Sequence, residues 1–189
     1  GIITWANNKT ESIGMVADKA IGVNEKEIQV NGKQSIGMLG KKEAMITNEA
    51  AGTITLSEEK GIGMLAEDNN TVATNKGNIL AKGKESSGML AKANGKSVNE
   101  KTIQVSAEKG VGIFVSDTGI GENKNGAEIH VKNKEGVGIF ALNNSKTGSA
   151  INYGIIRLGE TGASYESLIG MFAKAENNKK ASVKNASGA

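Results

Sequence analysis

The stretch KEGVGIFALNN, residues 134–144, places Gly136 and Gly138 inside an apolar run. A GxG can be half of a phosphate-cradling loop, but that loop needs a following helix, a third glycine and an acidic partner downstream. None of them follows here. Instead the motif recurs as SIGMV (12–16), SIGML (35–39), GIGML (61–65), SSGML (86–90), GVGIF (110–114), GVGIF (136–140) and LIGMF (168–172). Its shared glycines are Gly14, Gly37, Gly63, Gly88, Gly112, Gly138 and Gly170, spaced 23, 26, 25, 24, 26 and 32 residues apart. Recurrence along the whole chain replaces the nucleotide reading with a repeat architecture. Gly61, Gly110 and Gly136 share their position with Ser12, Ser35 and Ser86, which makes Gly136 replaceable and Gly138 a member of an invariant structural column.

Two further columns accompany the glycines. Nine residues before five of them stand Ile28, Ile54, Ile79, Ile103 and Ile129, in segments such as EIQV (27–30), TITL (53–56), TIQV (102–105) and EIHV (128–131). The last copy, GIIRL (154–158), lies farther from its glycine, so 159–167 (GETGASYES) reads as a loop insertion in the last full coil. Four residues before the isoleucines come Asn24, Asn75, Asn99, Asn125 and, counting from Ile156, Asn152.

Period-two alternation with β-branched residues reads as strand, and short strands joined by Asn, Gly, Lys and Ser turns every 25 residues or so read as a parallel β-solenoid. The expected fold is all-β: a single β-solenoid of about seven coils over residues 1–189. Composition agrees, since the chain has 26 Gly, no Pro and only 3% aromatic residues. A chain without proline keeps all its backbone donors, as a molecule built almost wholly of hydrogen-bonded strands requires. Charge gives a separate check. Lys33, Glu59, Lys84, Glu108 and Lys134 stand four residues before the glycines, and Gln34, Lys60, Glu85, Lys109 and Glu135 stand three before. Signs alternate along each column, so stacked coils would place opposite charges over one another.

Within the glycine segment, alternation puts the residues on either side of the glycine inward (Ile36 and Met38, for example) and the glycine outward. Two positions after it stand Val16, Leu39, Leu65, Leu90, Phe114, Phe140 and Phe172. If the chain bends just past the glycine, this column enters the core as an internal ladder. If it runs straight, the column forms an outer apolar stripe widening toward Phe172, and Leu90, Phe114, Phe140 and Phe172 become a candidate interaction surface. Tyr165 in the 159–167 loop is a further candidate, because loops on rigid scaffolds carry binding residues.

Other chemistry is weakly represented. The only histidine, His130, falls in an outward polar column with Gln29, Thr55, Gln104 and Arg157. Metal sites need clustered ligands, and glycosidases or lyases need carboxylates gathered on one face. Glu67, Asp68, Asp117 and Glu122 occupy different turns, so no catalytic, metal or cofactor residues are expected and the chain is read as a non-enzyme. Asn-rich turns (67–70, 123–126, 142–145) supply Asx and left-handed geometry. The net charge of +3 comes from 23 basic and 20 acidic residues that interleave, which argues against nucleic acid as a partner. No Cys is present, and no apolar run reaches membrane-spanning length.

The repeated [IV]-G-[MI]-[LF]-[AV] motif, taken with the Asn turns and I-x-[VL] segments, resembles the passenger region of the very large fusobacterial autotransporters (type V secretion). That resemblance implies a right-handed parallel β-helix exposed at the bacterial cell surface, acting in adhesion to host cells or other bacteria through a protein or glycan receptor. A purely structural stalk and a polysaccharide-degrading β-helix are the alternatives. Such proteins carry an N-terminal signal and a C-terminal membrane barrel. The sequence begins partway through a period and ends in an incomplete coil, so it is read as a segment of a longer rod.

Overall fold

A computed structural model describes residues 1–5, 10–143, 149–160, 166–177 and 179–187. The chain winds through repeated triplets of strands. They begin with β1 (Ile2–Thr4), β2 (Ile13–Asp18) and β3 (Ile21–Asn24), then β4 (Glu27–Val30), β5 (Ile36–Lys41) and β6 (Met45–Asn48). Next come β7 (Thr53–Leu56), β8 (Ile62–Glu67), β9 (Val72–Asn75), β10 (Asn78–Ala81), β11 (Ser87–Lys92) and β12 (Lys96–Asn99). After them follow β13 (Thr102–Val105), β14 (Val111–Ser116), β15 (Ile120–Asn123), β16 (Glu128–Val131), β17 (Val137–Leu142) and β18 (Ala150–Asn152). The last are β19 (Ile155–Leu158), β20 (Ile169–Lys174) and β21 (Lys184–Asn185).

Among the described residues every third strand pairs in parallel, giving three seven-stranded sheets: β1 to β19, β2 to β20, and β3 to β21. The molecule is a three-sheeted parallel β-solenoid. Register is strict, with Ile28, Ile54, Ile79, Ile103, Ile129 and Ile156 paired in succession. This register follows from side chains that alternate with period two, because a slip by one residue would turn the isoleucines out to solvent. All but Ile156 in this run are fully buried. Facing them are Met38, Met64, Met89, Ile113 and Ile139 of the middle sheet, also fully buried.

Volumes in the core are matched between sheets. Ile46 of β6 stands beside Gly40 of β5, and Gly121 of β15 stands against Val115 of β14, so a large side chain on one sheet meets a glycine on the next. Close packing of this kind leaves little room for an added methylene.

The third sheet holds a feature that spacing alone misassigned. Its inner edge is a continuous ladder of amides, buried from Asn24 through Asn48, Asn75, Asn99 and Asn123 to Asn152 and ending at the exposed Asn185, each Nδ2 donating to the next Oδ1 at 2.7–2.8 Å. Asn125 is not in it; Asn125 is exposed in a turn, and Asn123 takes the place. Asn48, absent from the column as read by spacing, belongs too. The turns between the third and first sheets differ in length, so counting back from the isoleucine lands two residues off where the turn is longer.

The turns before the middle sheet use left-handed backbone without glycine. Glu11, Gln34, Lys60, Glu85, Lys109, Glu135 and Ser167 all have φ between 51° and 60°. The N–H groups of the first six reach the next coil: Gln34, for example, donates to Glu59 O at 3.0 Å and Lys60 to Lys84 O at 2.8 Å. Inter-coil bonding thus continues through the corner, which offsets the cost of left-handed geometry in residues with a Cβ.

Candidate functional site

The glycine column decides where the neighbouring side chains point. Gly37, Gly63, Gly88, Gly112 and Gly138 are buried, and so is the residue after each of them. Two consecutive inward positions mean that the strand bends at the glycine itself. A Cβ on Gly37 would lie 2.6 Å from Gly63 O and 2.9 Å from Ile54 Cγ2; one on Gly138 would lie 2.5 Å from Gly170 O and 2.7 Å from Ile156 Cγ2. The glycine is there because the carbonyl of the next coil and the facing isoleucine occupy the space a side chain needs.

This corrects the alternation read from sequence. The glycine faces inward, while of the residues before it Ile36, Ile62 and Val111 are half-buried and Ile13 and Ile169 exposed; Ser87 and Val137 are covered, each at 8% exposure. The neighbouring column changes as well: at Gly136 a Cβ would come 2.9 Å from Asn133 O, so Gly136 is not freely replaceable although other coils carry serine there. Gly61, whose nearest neighbours would be 3.4 Å away or more, has the room.

After the bend, alternation resumes. The column containing Leu90, Phe114, Phe140 and Phe172 lies on the outer side of the middle sheet and contributes nothing to the central core cluster. Its early members Leu39 and Leu65 are covered, at 5% and 4% exposure; Leu90, Phe114 and Phe140 are half-buried; Phe172 is 40% exposed. The three rings stack at centroid distances of 5.1 and 5.2 Å, with interplanar angles of 15° and 20°. Stacked rings of this kind add about 0.5–1.5 kcal/mol per pair beyond area burial. Tyr165 lies outside the described residues, as do residues 161–164 of the same loop.

Charge rims this stripe and is largely self-neutralised. On one side Lys33–Glu59 (3.0 Å), Lys60–Glu85 (4.0 Å), Lys84–Glu108 (3.3 Å) and Lys109–Glu135 (3.5 Å) join successive coils, as the alternating signs predicted. On the other, Glu67 bridges Lys41 (3.5 Å) and Lys92 (2.9 Å). Beyond Lys92 this rim column changes to Ser116 and Leu142, both half-buried, just where the phenylalanines begin. Val111, Phe114, Phe140 and Leu142, all half-buried, therefore form one outward apolar patch together with Val137, which is itself covered at 8% exposure. Leu142 was missed in the sequence because its column is otherwise polar or charged; its change of character is the signal that was available.

The lysines hold several carboxyls below their ordinary value of 4.5. For Glu59 the cause is the hydrogen bond and charge of Lys33; for Glu108 it is the hydrogen bond from Lys84, with Lys134 adding its charge. Burial opposes ionisation at Glu67 and Glu122, but hydrogen bonds from Lys92 and from Lys124 and Lys96, respectively, outweigh it. Because these folded-state values are depressed, the stability they confer is full above about pH 4.5 and is lost as pH falls through the folded values. The melting temperature should therefore hold down to roughly pH 5 and drop below that, and Glu108→Gln should flatten the drop. A melting temperature that does not change between neutral pH and pH 3 would contradict these pairings.

The remaining candidates sit apart. His130 occupies its polar column between Gln104 and Arg157, with Nε2 2.8 Å from Gly159 O. Glu67, Asp117 and Glu122 each face lysines, the nearest to Asp117 being Lys179 at 3.9 Å. Among the described residues, no group of three or more His, Asp or Glu side chains is arranged to hold a metal ion.

No curated protein and no solved structure matches the chain. A family model described as the BigA third pectate lyase-like domain matches it twice, over residues 4–102 and 75–188, which together span nearly the whole sequence. That family is a β-helix domain of bacterial surface proteins. Its fold is the one built above from the glycine, isoleucine and asparagine columns, and the chain belongs to the family of BigA third pectate lyase-like domains.

Proposed function

We propose that this β-solenoid is a passenger segment of an autotransporter-type adhesin, of the kind found in fusobacteria, and that it binds a receptor on host cells or other bacteria without catalysing a reaction. The observation that carries this reading is the outward patch of Val111, Phe114, Val137, Phe140 and Leu142. A folded chain gains nothing in its central core from aromatic side chains placed there, and contiguous outward apolar area is characteristic of interaction sites. The rim charges pair with one another, so recognition rests on apolar contact and shape, and binding should depend only weakly on ionic strength. A non-enzymatic role is supported by the carboxylates Glu67 and Glu122, each engaged by two lysines and so unsuited to acting as acid or nucleophile.

Phe140→Ser tests the reading. Phe140 stacks on two rings but lies outside the core cluster, so the substitution should cost about 1–3 kcal/mol of stability and leave the chain folded. Binding of the purified chain to epithelial cells or to partner bacteria, followed by flow cytometry, should fall to background with Phe140→Ser and persist with the rim variant Lys92→Gln. Equal binding by Phe140→Ser and the parent chain would overturn the assignment of the patch. Absence of binding by the parent chain would favour a stalk, a role that the uniform coil-to-coil pairing would also serve.

A further inference from the structure

The chain contains three Asn–Gly pairs, at 31–32, 94–95 and 125–126. We propose that Asn125 is a self-modification site, at which the folded protein converts its own asparagine to aspartate and isoaspartate.

The chemistry needs no enzyme or oxidant. The backbone nitrogen of the following residue attacks the asparagine Cγ, its proton passes to solvent base, and ammonia leaves as the five-membered succinimide closes. Water then opens the ring at either carbonyl, producing aspartate or isoaspartate. Reaction requires a side chain free to swing onto the backbone, a following amide not committed to a hydrogen bond, and no Cβ blocking the approach.

Asn125–Gly126 meets all three requirements. The pair forms the centre of a turn closed by the Ala127 N–H donating to Lys124 O at 3.1 Å. Both residues are exposed, Gly126 has φ +80°, and nothing lies within 4 Å of where its Cβ would be. Neither the Asn125 amide nor the Gly126 N–H has a hydrogen-bond partner among the described residues.

The other two pairs are restrained. The Gly95 N–H donates to Lys92 O at 2.9 Å, and Gly95 is wedged against the Ala66 carbonyl. Asn31 donates from Nδ2 to Thr4 Oγ1 at 3.4 Å, and Gly32 is buried. The ladder asparagines from Asn24 to Asn152 are pinned through both side-chain atoms, and all are followed by residues bulkier than glycine.

The product places a carboxylate beside Lys124, whose Nζ bonds Glu122 at 2.9 Å, and a recess of about 290 Å³ lined by Glu122, Lys124, residue 125 and Tyr153 becomes more acidic. In the isoaspartate form the main chain of the turn is also one carbon longer. This inference stands whether or not the outer patch binds a receptor.

The folded chain should be aged in warm, mildly alkaline buffer and analysed by peptide mapping and isoaspartyl methyltransferase labelling, with a urea-unfolded sample showing how all three pairs react without structure. Label and acidic product are expected at Asn125 while Asn31, Asn94 and the ladder asparagines stay intact, and Asn125→Gln should abolish the label. Conversion of Asn94 or Asn31 in the folded chain as fast as that of Asn125 would overturn the proposal, as would an Asn125 that survives folded ageing while the unfolded sample converts.

Discussion

Gly112→Ala is expected to destabilise the solenoid by about 3 kcal/mol or more, a large effect for the addition of one methyl group. The new Cβ would stand 2.5 Å from Gly138 O and 2.5 Å from Ile129 Cγ2. One of these neighbours is main chain of the next coil, held by the Val111–Val137 and Ile113–Ile139 pairing, and the other is a stiff β-branched side chain buried between two coils. Neither can retreat alone, so relief requires the coils to separate locally. Gly61→Ser provides the contrast, because its Cβ would meet Leu56 Cβ at 3.4 Å and Ser86 Oγ at 3.5 Å, ordinary contacts. Its effect should stay within about 0.5 kcal/mol. Urea unfolding of both variants checks the pair, and similar midpoints would mean that the glycine column is not set by close approach.

The same geometry explains what could and could not be read from the sequence. Columns that repeat at constant distance from the glycine were legible: Ile28 to Ile129 and the alternating Lys and Glu positions all stack as spacing requires. Columns separated from the reference by a turn of variable length were not, which is why Asn125 stood in for Asn123 and Asn48 went unnoticed. The third failure was of another kind. Strict alternation assumes an uninterrupted pleat, and here the pleat is broken at Gly138 and its equivalents, so the assignments of the glycine and of the residue before it were reversed. No local propensity reports such a break. It becomes visible only when the carbonyl of the next coil is seen filling the space beside the glycine.

That break also bears on the candidate site. Because two successive residues turn inward at the glycine, Met38, Met64, Met89, Ile113 and Ile139 take the central core, and the following column is displaced to the outer face. Phe114 and Phe140 lie there as a consequence of a backbone bend two residues earlier.

Asn99→Asp should be among the most damaging substitutions of a single atom group that this fold can receive, at about 3–5 kcal/mol near neutral pH. Asn99 is fully buried, accepts from Asn75 Nδ2 at 2.8 Å and donates to Asn123 Oδ1 at 2.8 Å, with Lys101 O and Glu128 O each 3.4 Å from the same Nδ2. Aspartate keeps the acceptor but replaces the donor with a charged oxygen aimed at three oxygen acceptors. Burial and those acceptors raise its folded-state pKa above the unfolded value, so the folded chain takes up the proton first and the penalty shrinks as pH falls through that raised value. A protonated carboxyl can again donate to Asn123. The lysine-paired carboxylates are lost in acid by parent and variant alike and leave the gap unchanged, so protonation of the aspartate alone should make the two stability curves converge as pH falls. Asn99→Ala, which removes the ladder bonds to Asn75 and Asn123 at every pH, should run roughly parallel to the parent instead. Urea unfolding of the three proteins from neutral pH to about pH 4 separates these behaviours. A constant gap between Asn99→Asp and the parent would show that the amide ladder does not depend on its donors, whereas convergence would mean that each asparagine is held in the column by the proton it gives to the coil above.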